Sequence, residues 1–543
     1  MVHDYSFIDD DPRTISRLAN GLWERDHSLW KGPRAQIQNS LGWIDGANTS
    51  LSSLDCLLDV VASTSENISS VVLIGMGGSS LGARALIDSS NLNNRIPIYF
   101  ADSTNSSQIR SLTQLVAPGK SLFIVSSKSG STQETITLFR HFHKHVRNDI
   151  AIEAGGSRFV AITDEGSPLE TIANNYSFDA TIFGQHDVGG RYSILTPFGI
   201  FPAAVSGVKT KEILLGAIQE SDRCREHFLD APTFSLVRYL SDCLKQSRDK
   251  LIIVADEPLA SLASWIEQLI SESLGKDGKG IIPVCGIDTE DLKYLGDDCA
   301  IVRLEGMSSS SEEDQNRKNY FNDLSEHITQ PILYTHVVEP GDLGREIMKW
   351  ELGIAMLGSL IGVNPFDQPQ VEISKGLANQ AIKDHKRKAT RLRRIEEIEG
   401  IEIEDLEDLL KSLGRHTYMA LLAYLPRDRE NERLLRILSG AVTRRCEVPV
   451  SVGFGPSYLH STGQLHKGGP ESGVFVQLTT TDIGEKIEVP GETFDFSFLN
   501  EALADGDMAA LHELGKKVVR INLGFDATLS IERLIKRVEI FKN

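Results

Sequence analysis

The stretch Ser126-Ser127-Lys128-Ser129-Gly130-Ser131-Thr132-Gln133-Glu134-Thr135 decides the reading of this chain. It follows an apolar run, Ser121 to Val125, with the length and character of a short buried strand. It precedes a helical pattern that starts near Thr135. Hydroxyls, one lysine and one glycine therefore fall where a strand hands over to a helix N-terminus. Free backbone N–H groups and the positive end of the helix dipole face an anion at such a place. Hydroxyls donate short hydrogen bonds to it and a lysine adds a point charge. The expectation is a phosphate seat, weighed against an ordinary serine-rich helix cap.

The same rhythm extends outward. Short apolar runs at Val71–Ile74, Pro97–Phe100, Ser121–Val125, Phe159–Ile162 and Ala180–Phe183 alternate with helical patterns. Buried parallel strands alternating with helices predict a doubly wound α/β domain over residues 66–215. A second α/β rhythm, with strands at Lys250–Val254, Ala300–Arg303 and Ile332–His336, occupies 230–376. Residues 1–65 read as a helical arm whose Trp23, Trp30 and Trp43 pack it onto the body. Residues 377–543 read as a charged helical linker, Lys383 to Lys411, and a smaller α/β unit. Its strands fall near Tyr418–Ala423, Val448–Val452, Gly473–Leu478 and Val518–Ile521.

Composition narrows the function classes. A net charge of −19 over 543 residues disfavours nucleic-acid binding, which needs a basic face, but leaves a local phosphate site possible. The six cysteines are scattered without a C-x-x-C pair, as expected of reduced thiols in a cytoplasmic protein rather than a disulfide frame or zinc site. No run approaches 18 uninterrupted apolar residues, so no membrane span is expected. The N-terminus shows no basic-then-apolar leader pattern.

Four further constellations can carry chemistry. Gly75-Met76-Gly77-Gly78-Ser79-Ser80-Leu81-Gly82 follows the first strand, where glycines allow a ligand to approach the backbone. A dinucleotide fingerprint would need glycine at position 80, which is serine, so a sugar or sugar-phosphate contact, or a tight structural turn, is the better reading. Gly189-Gly190-Arg191-Tyr192-Ser193 places a fixed cation behind two glycines at a strand end, suited to a developing oxyanion or to a surface ion pair. Gln268 and Glu272 lie four apart near the end of an amphipathic helix and share a face. A carboxylate there sits at the unfavourable pole of the helix dipole, an environment a general base can use. Gln368 and Lys375 lie seven apart, two helical turns, in Asn364–Lys375.

Taken in order, these segments resemble the glucose-6-phosphate isomerase (phosphoglucose isomerase) family, built from two sugar-isomerase (SIS) domains. The resemblance rests on the glycine turn at Gly75, the S-K-x-x-[ST]-T-Q-E-T loop at Ser127, G-G-R at Gly189, E-S-x-G-K at Glu272 and F-D-Q…V-E-x-x-K at Phe366. Flanking segments, Leu22-Trp23, His27–Trp30, Gly453–Pro456 and His460–Gly469, are similar to the isomerase half of bacterial transaldolase–phosphoglucose isomerase fusions. The roughly 65 residues before the first strand are far fewer than the roughly 250 of a transaldolase-type barrel.

The resemblance implies an aldose–ketose isomerase that interconverts glucose 6-phosphate and fructose 6-phosphate through a cis-enediol, with neither metal nor nicotinamide cofactor. It assigns Ser127, Lys128, Ser129 and Thr132 to the phosphate, with Ser79 beside the sugar. Glu272 becomes the base, Arg191 the oxyanion partner, Gln268 and Gln368 hydroxyl contacts, and Lys375 a contact at the ring-opening end. The family's G-x-x-x-Q-H-x-F pattern is absent, which leaves His327, ahead of His336, as the expected ring-opening histidine. In the family this histidine comes from the other subunit, so a homodimer is implied. The alternatives are a non-catalytic SIS-type sugar-phosphate sensor and an isomerase that also accepts mannose 6-phosphate. The His460–Gly469 segment, with two histidines and a lysine among glycines, is read as a structured interface loop rather than an anion site.

Overall fold

The computed structural model describes residues 4–90, 96–147, 157–306, 312–370, 376, 403–481, 484 and 486–541. Among these residues the strands form three all-parallel sheets. The first has the order β2-β1-β3-β4-β5, with β1 Ser70–Ile74, β2 Ile98–Ala101, β3 Ser121–Ser126, β4 Phe159–Thr163 and β5 Ala180–Phe183. The second has the order β7-β6-β8-β9, with β6 Lys250–Ala255, β7 Ile282–Cys285, β8 Cys299–Gly306 and β9 Ile332–Val337. The third has the order β11-β10-β12-β13, with β10 Tyr418–Tyr424, β11 Val450–Phe454, β12 Gly473–Thr479 and β13 Lys517–Asn522. In each sheet the order doubles back beside the first strand of the set, the doubly wound arrangement whose crevices lie at strand carboxyl ends.

The central strands β1, β3, β4 and β10 are buried along their whole length because helices cover both faces. Side chains alternate in direction along a strand. Val71 and Leu73 of β1 therefore enter one core with Ile124, Ile253, Val302 and Trp265, while Val72 and Ile74 enter another with Phe123, Ile252, Ile301 and Tyr418. Both cores join more than one sheet, so the sheets are tied by shared apolar packing. Complete burial of each such aliphatic side chain contributes about 1.5–3 kcal/mol. A third core, around Leu421, Val476, Leu435 and Ile531, belongs to the C-terminal sheet and its helices.

The tryptophans of the N-terminal arm pack inward as expected. Trp43 stacks on Tyr192 at 4.8 Å between ring centroids, and the Trp30 indole donates to the Ala355 carbonyl at 2.8 Å. Strand β7 was not anticipated. Its four residues include Pro283 and follow Gly280, so its sequence carries turn chemistry rather than a strand signal. Burial against β6 overrides that local preference. Lys375 and most of the charged segment from Lys383 lie outside the described residues, and its end forms the helix Ile403–Lys411. Among the described residues no helix is long and apolar enough to cross a membrane.

Candidate functional site

The site is assembled from segments far apart in the sequence. Arg191 sits in the 3-10 turn Gly190–Tyr192 that follows β5. Gln268 and Glu272 project from the last turns of the helix Ala260–Leu274. Arg191 Nη1 meets Glu272 Oε2 at 3.1 Å, and Gln268 Nε2 donates to Glu272 Oε1 at 3.2 Å. Arg191 is 4% exposed and Glu272 6%, so the pair interacts in a medium far less screening than water. Arg191 Nη2 donates to the Asp367 carbonyl at 2.9 Å, which brings the Asn364–Gln370 segment to the same point. Gln368 is exposed next to Asp367 in that segment. Lys375 lies outside the described residues.

Two glycines make this convergence possible. A Cβ on Gly78 would fall 2.2 Å from the Gly190 carbonyl oxygen, and one on Gly77, whose φ is +54°, would fall 2.5 Å from that of His460. The glycine turn after β1, with Ser79 at its end, is thus the floor on which the Arg191 turn and a C-terminal segment both rest. Its glycines serve close approach of protein backbone.

The expected phosphate loop stands preorganised. Ser127 Oγ donates to Thr132 Oγ1 at 3.1 Å, Ser129 and Ser131 share a hydroxyl contact of 3.0 Å, and Thr163 donates to the Ser127 carbonyl at 2.7 Å. Gly130 turns the loop with φ of +63° and donates its N–H to the Ser127 carbonyl. The helix Gln133–Arg147 starts immediately after. Lys128 differs from expectation. Its ammonium forms an ion pair with Asp164 and bonds the Gln185 and His186 carbonyls at 3.3 and 3.2 Å. Its charge is already compensated by Asp164, which leaves hydroxyls and backbone N–H groups as the loop's donors.

A histidine of the same chain lies beside this set. His460 Nε2 lies 2.9 Å from Glu134 Oε1, and its carbonyl accepts from Gln268 Nε2 at 2.9 Å. His460 therefore bridges the first turn of the phosphate-loop helix and the helix carrying Glu272. His327 instead is exposed in the turn before β9, and His336 is exposed and paired with Glu305 at 2.8 Å. Neither joins the bonds that link Arg191, Gln268 and His460 within the chain.

The rest of the His460–Gly469 segment is structural, as its interface-loop reading implies. His466 is buried against Tyr418 and Phe475, and burial, reinforced by Lys467 and Lys516, pushes its pKa down to about 3. Lys467 pairs with Asp507 in full burial. The missed signal for His460 was chemical: a histidine beside Ser461 and Thr462, some 190 residues from Glu272, with no local periodicity to connect them.

The fold and this set define a class: an α/β protein with parallel sheets and a buried carboxylate–guanidinium pair beside a hydroxyl-rich helix N-terminus. The phosphoglucose isomerase family model matches residues 58–282. The chain is 31% identical over 383 residues to a glucose-6-phosphate isomerase of Bacillus thuringiensis, covering 62% of this chain and 85% of that protein. It is 29% identical over 403 residues to one from Mesoplasma florum, covering 67% of this chain and 94% of that protein. A solved structure of a hypothetical protein from Thermus thermophilus superposes with a TM-score of 0.58 at 25% identity, over 70% of this chain and 99% of that one. A glucose-6-phosphate isomerase from Chlamydia trachomatis shares the fold with a TM-score of 0.57 at 18% identity, over 70% and 87% of the two chains. The chain belongs to the phosphoglucose isomerase family.

Proposed function

We propose that this protein interconverts glucose 6-phosphate and fructose 6-phosphate. The reading is carried by the buried pair Arg191–Glu272 placed with Gln268 beside a preformed hydroxyl loop. Ser127, Ser129 and Thr132, with the N-terminus of the helix Gln133–Arg147, hold the phosphate, and Ser79 lies on the sugar side. Glu272 takes the proton from C2 of the open-chain aldose and delivers it to C1 while the O2 hydroxyl proton passes to O1, and the reverse direction retraces this path. The negative charge that develops on oxygen in the enediolate is met by the Arg191 guanidinium, which cannot give up its proton. Gln268 Oε1 is a buried acceptor without a hydrogen-bond partner among the described residues, as suits an atom that receives a substrate hydroxyl. Gln368 and Lys375 complete the hydroxyl and ring-opening contacts.

His460 takes the ring-opening role in this reading. Its Nε2 is held by Glu134 at 2.9 Å, an arrangement that orients the imidazole. It comes from the same chain, so this function does not depend on a partner's histidine. A cytoplasmic setting and a place in glycolysis and gluconeogenesis belong to the same proposal, while a homodimer is supported by the family resemblance alone.

Conversion of fructose 6-phosphate, coupled to oxidation of the glucose 6-phosphate formed, tests the reading. Turnover supports it. Tight binding of fructose 6-phosphate without turnover would replace it by the sugar-phosphate sensor.

A further inference from the structure

The second residue after the helix that carries Glu272 has no assigned role, yet it is the most constrained cation near the site. Lys276 is 3% exposed. Its Nζ forms an ion pair with Asp367 Oδ1 at 2.8 Å and donates to the Asn364 carbonyl. Asp367 is the same residue whose carbonyl accepts from Arg191 Nη2 at 2.9 Å. Arg191 is therefore held at two points: by Glu272 directly, and by a backbone carbonyl whose own side chain is gripped by Lys276.

The segment is gripped again at its far end. Gln370 N donates to Gln464 Oε1 at 3.1 Å, and Gln464 Nε2 donates to the Gly275 carbonyl at 3.0 Å. Both grips thus anchor on neighbouring residues, Gly275 and Lys276, directly after the helix Ala260–Leu274. Residues 364–368 form a turn between the helix Pro340–Ile361 and the helical residues 369–370, so these side-chain bonds help set where Asp367 and Gln368 lie.

We propose that Lys276 is a positioning residue for the isomerase reaction: it fixes Asp367, and through its carbonyl the orientation of the Arg191 guanidinium toward the enediolate oxygen. The inference rests on the isomerase reading. It explains a buried lysine that would otherwise cost the fold a desolvated charge. Burial in fact draws the Lys276 pKa down to about 7, with Arg191 acting in the same direction and Asp367 and Glu272 opposing.

The test compares wild type with Lys276→Met, Lys276→Arg and Asp367→Asn in kcat and KM for fructose 6-phosphate across pH 6–9. An oriented donor displaced by about 1 Å loses up to about 10²-fold in rate. Lys276→Met is expected to lower kcat by about 10-fold to 100-fold with KM moved less than about threefold, because the phosphate seat is untouched. Lys276→Arg, charged at every pH, is expected to restore part of kcat and to flatten any decline of wild-type kcat above neutral pH. Asp367→Asn, a smaller change, should lower kcat in the same sense and show little further loss in the double variant. Wild-type kcat in folded Lys276→Met or Asp367→Asn would overturn the inference, as would equal effects on KM and kcat or additive losses in the double variant. Absence of turnover in wild type itself would strike the isomerase reading instead.

Discussion

Arg191 Nη1 and Glu272 Oε2 lie 3.1 Å apart, joining the turn after the last strand of the first sheet to the end of a helix of the second. Neither sheet alone holds a reactive centre. The pair exists because the helix Ala260–Leu274 packs against the helix Leu81–Asp88 and against the Gly190–Tyr192 turn. In the proposed reaction the guanidinium that pairs with Glu272 in the free protein also meets the charge of the enediolate.

Replacing that cation should therefore damage chemistry more than binding. Arg191→Lys keeps the charge but loses the forked geometry that reaches Glu272 and the Asp367 carbonyl together. A kcat loss of about 10²-fold is expected, with KM within about threefold. Steady-state kinetics on fructose 6-phosphate read this directly, and equal losses of kcat/KM and of binding affinity would argue against an oxyanion role.

His460 should matter where His327 and His336 do not. His460→Gln removes the imidazole held by Glu134, and general acid–base assistance is worth about 10²–10⁴-fold. His327→Gln and His336→Gln change exposed side chains and should leave kcat within about twofold. The same assay on the three variants decides between them. Near-wild-type turnover in His460→Gln, with a large loss in His327→Gln, would return the role to a histidine supplied by a second subunit.

The hydroxyl loop should control affinity. Ser127→Ala and Thr132→Ala each remove donors to the phosphate, worth about 1–3 kcal/mol when charge-assisted. KM for fructose 6-phosphate, or Kd by calorimetry, should rise about 5-fold to 100-fold. Inorganic phosphate should inhibit the wild type competitively and the variants less. Unchanged KM in both variants would displace the phosphate from this loop.

Stability should fall in mild acid because of two buried histidines. Burial lowers the His466 pKa to about 3 and that of His141 to about 4, from an ordinary 6.5. Both are neutral when folded, while the unfolded chain takes up their protons below pH 6.5. Their contribution is thus complete above pH 6.5 and is lost as pH falls toward 4 and 3. At pH 4.5 the two together should remove on the order of 4 kcal/mol relative to pH 7. Denaturant midpoints measured at pH 7 and 4.5 give the slope, and His466→Gln should remove about half of it. A slope unchanged in that variant would place the acid sensitivity elsewhere.

Much of this architecture was readable because periodic burial leaves a direct trace. The five strands of the first sheet and the four of the third fall within two residues of their apolar runs, since covered parallel strands must be apolar throughout. The placement of Ser127 and Thr132 in a strand-to-helix loop, of Arg191 in a turn after a strand and of Glu272 near a helix end was legible because loop and helix-end chemistry restricts residue type locally. What was not legible depends on pairings between distant segments. His460 acquires its neighbourhood from Glu134, 326 residues earlier, and from Gln268. Lys128 looked like a phosphate donor until β4 and its following turn delivered Asp164 beside it. Lys276 stood in a quoted motif without an evident role, because its meaning lies in Asp367 and the Arg191 bond beyond it.

The most direct test of the central claim compares wild type with Glu272→Gln in turnover of fructose 6-phosphate and, separately, in its binding by calorimetry. The buried geometry predicts that turnover falls by at least about 10²-fold while Kd stays within about fivefold, because the amide keeps the shape and loses the base. Turnover retained in a folded Glu272→Gln would contradict proton transfer by this carboxylate.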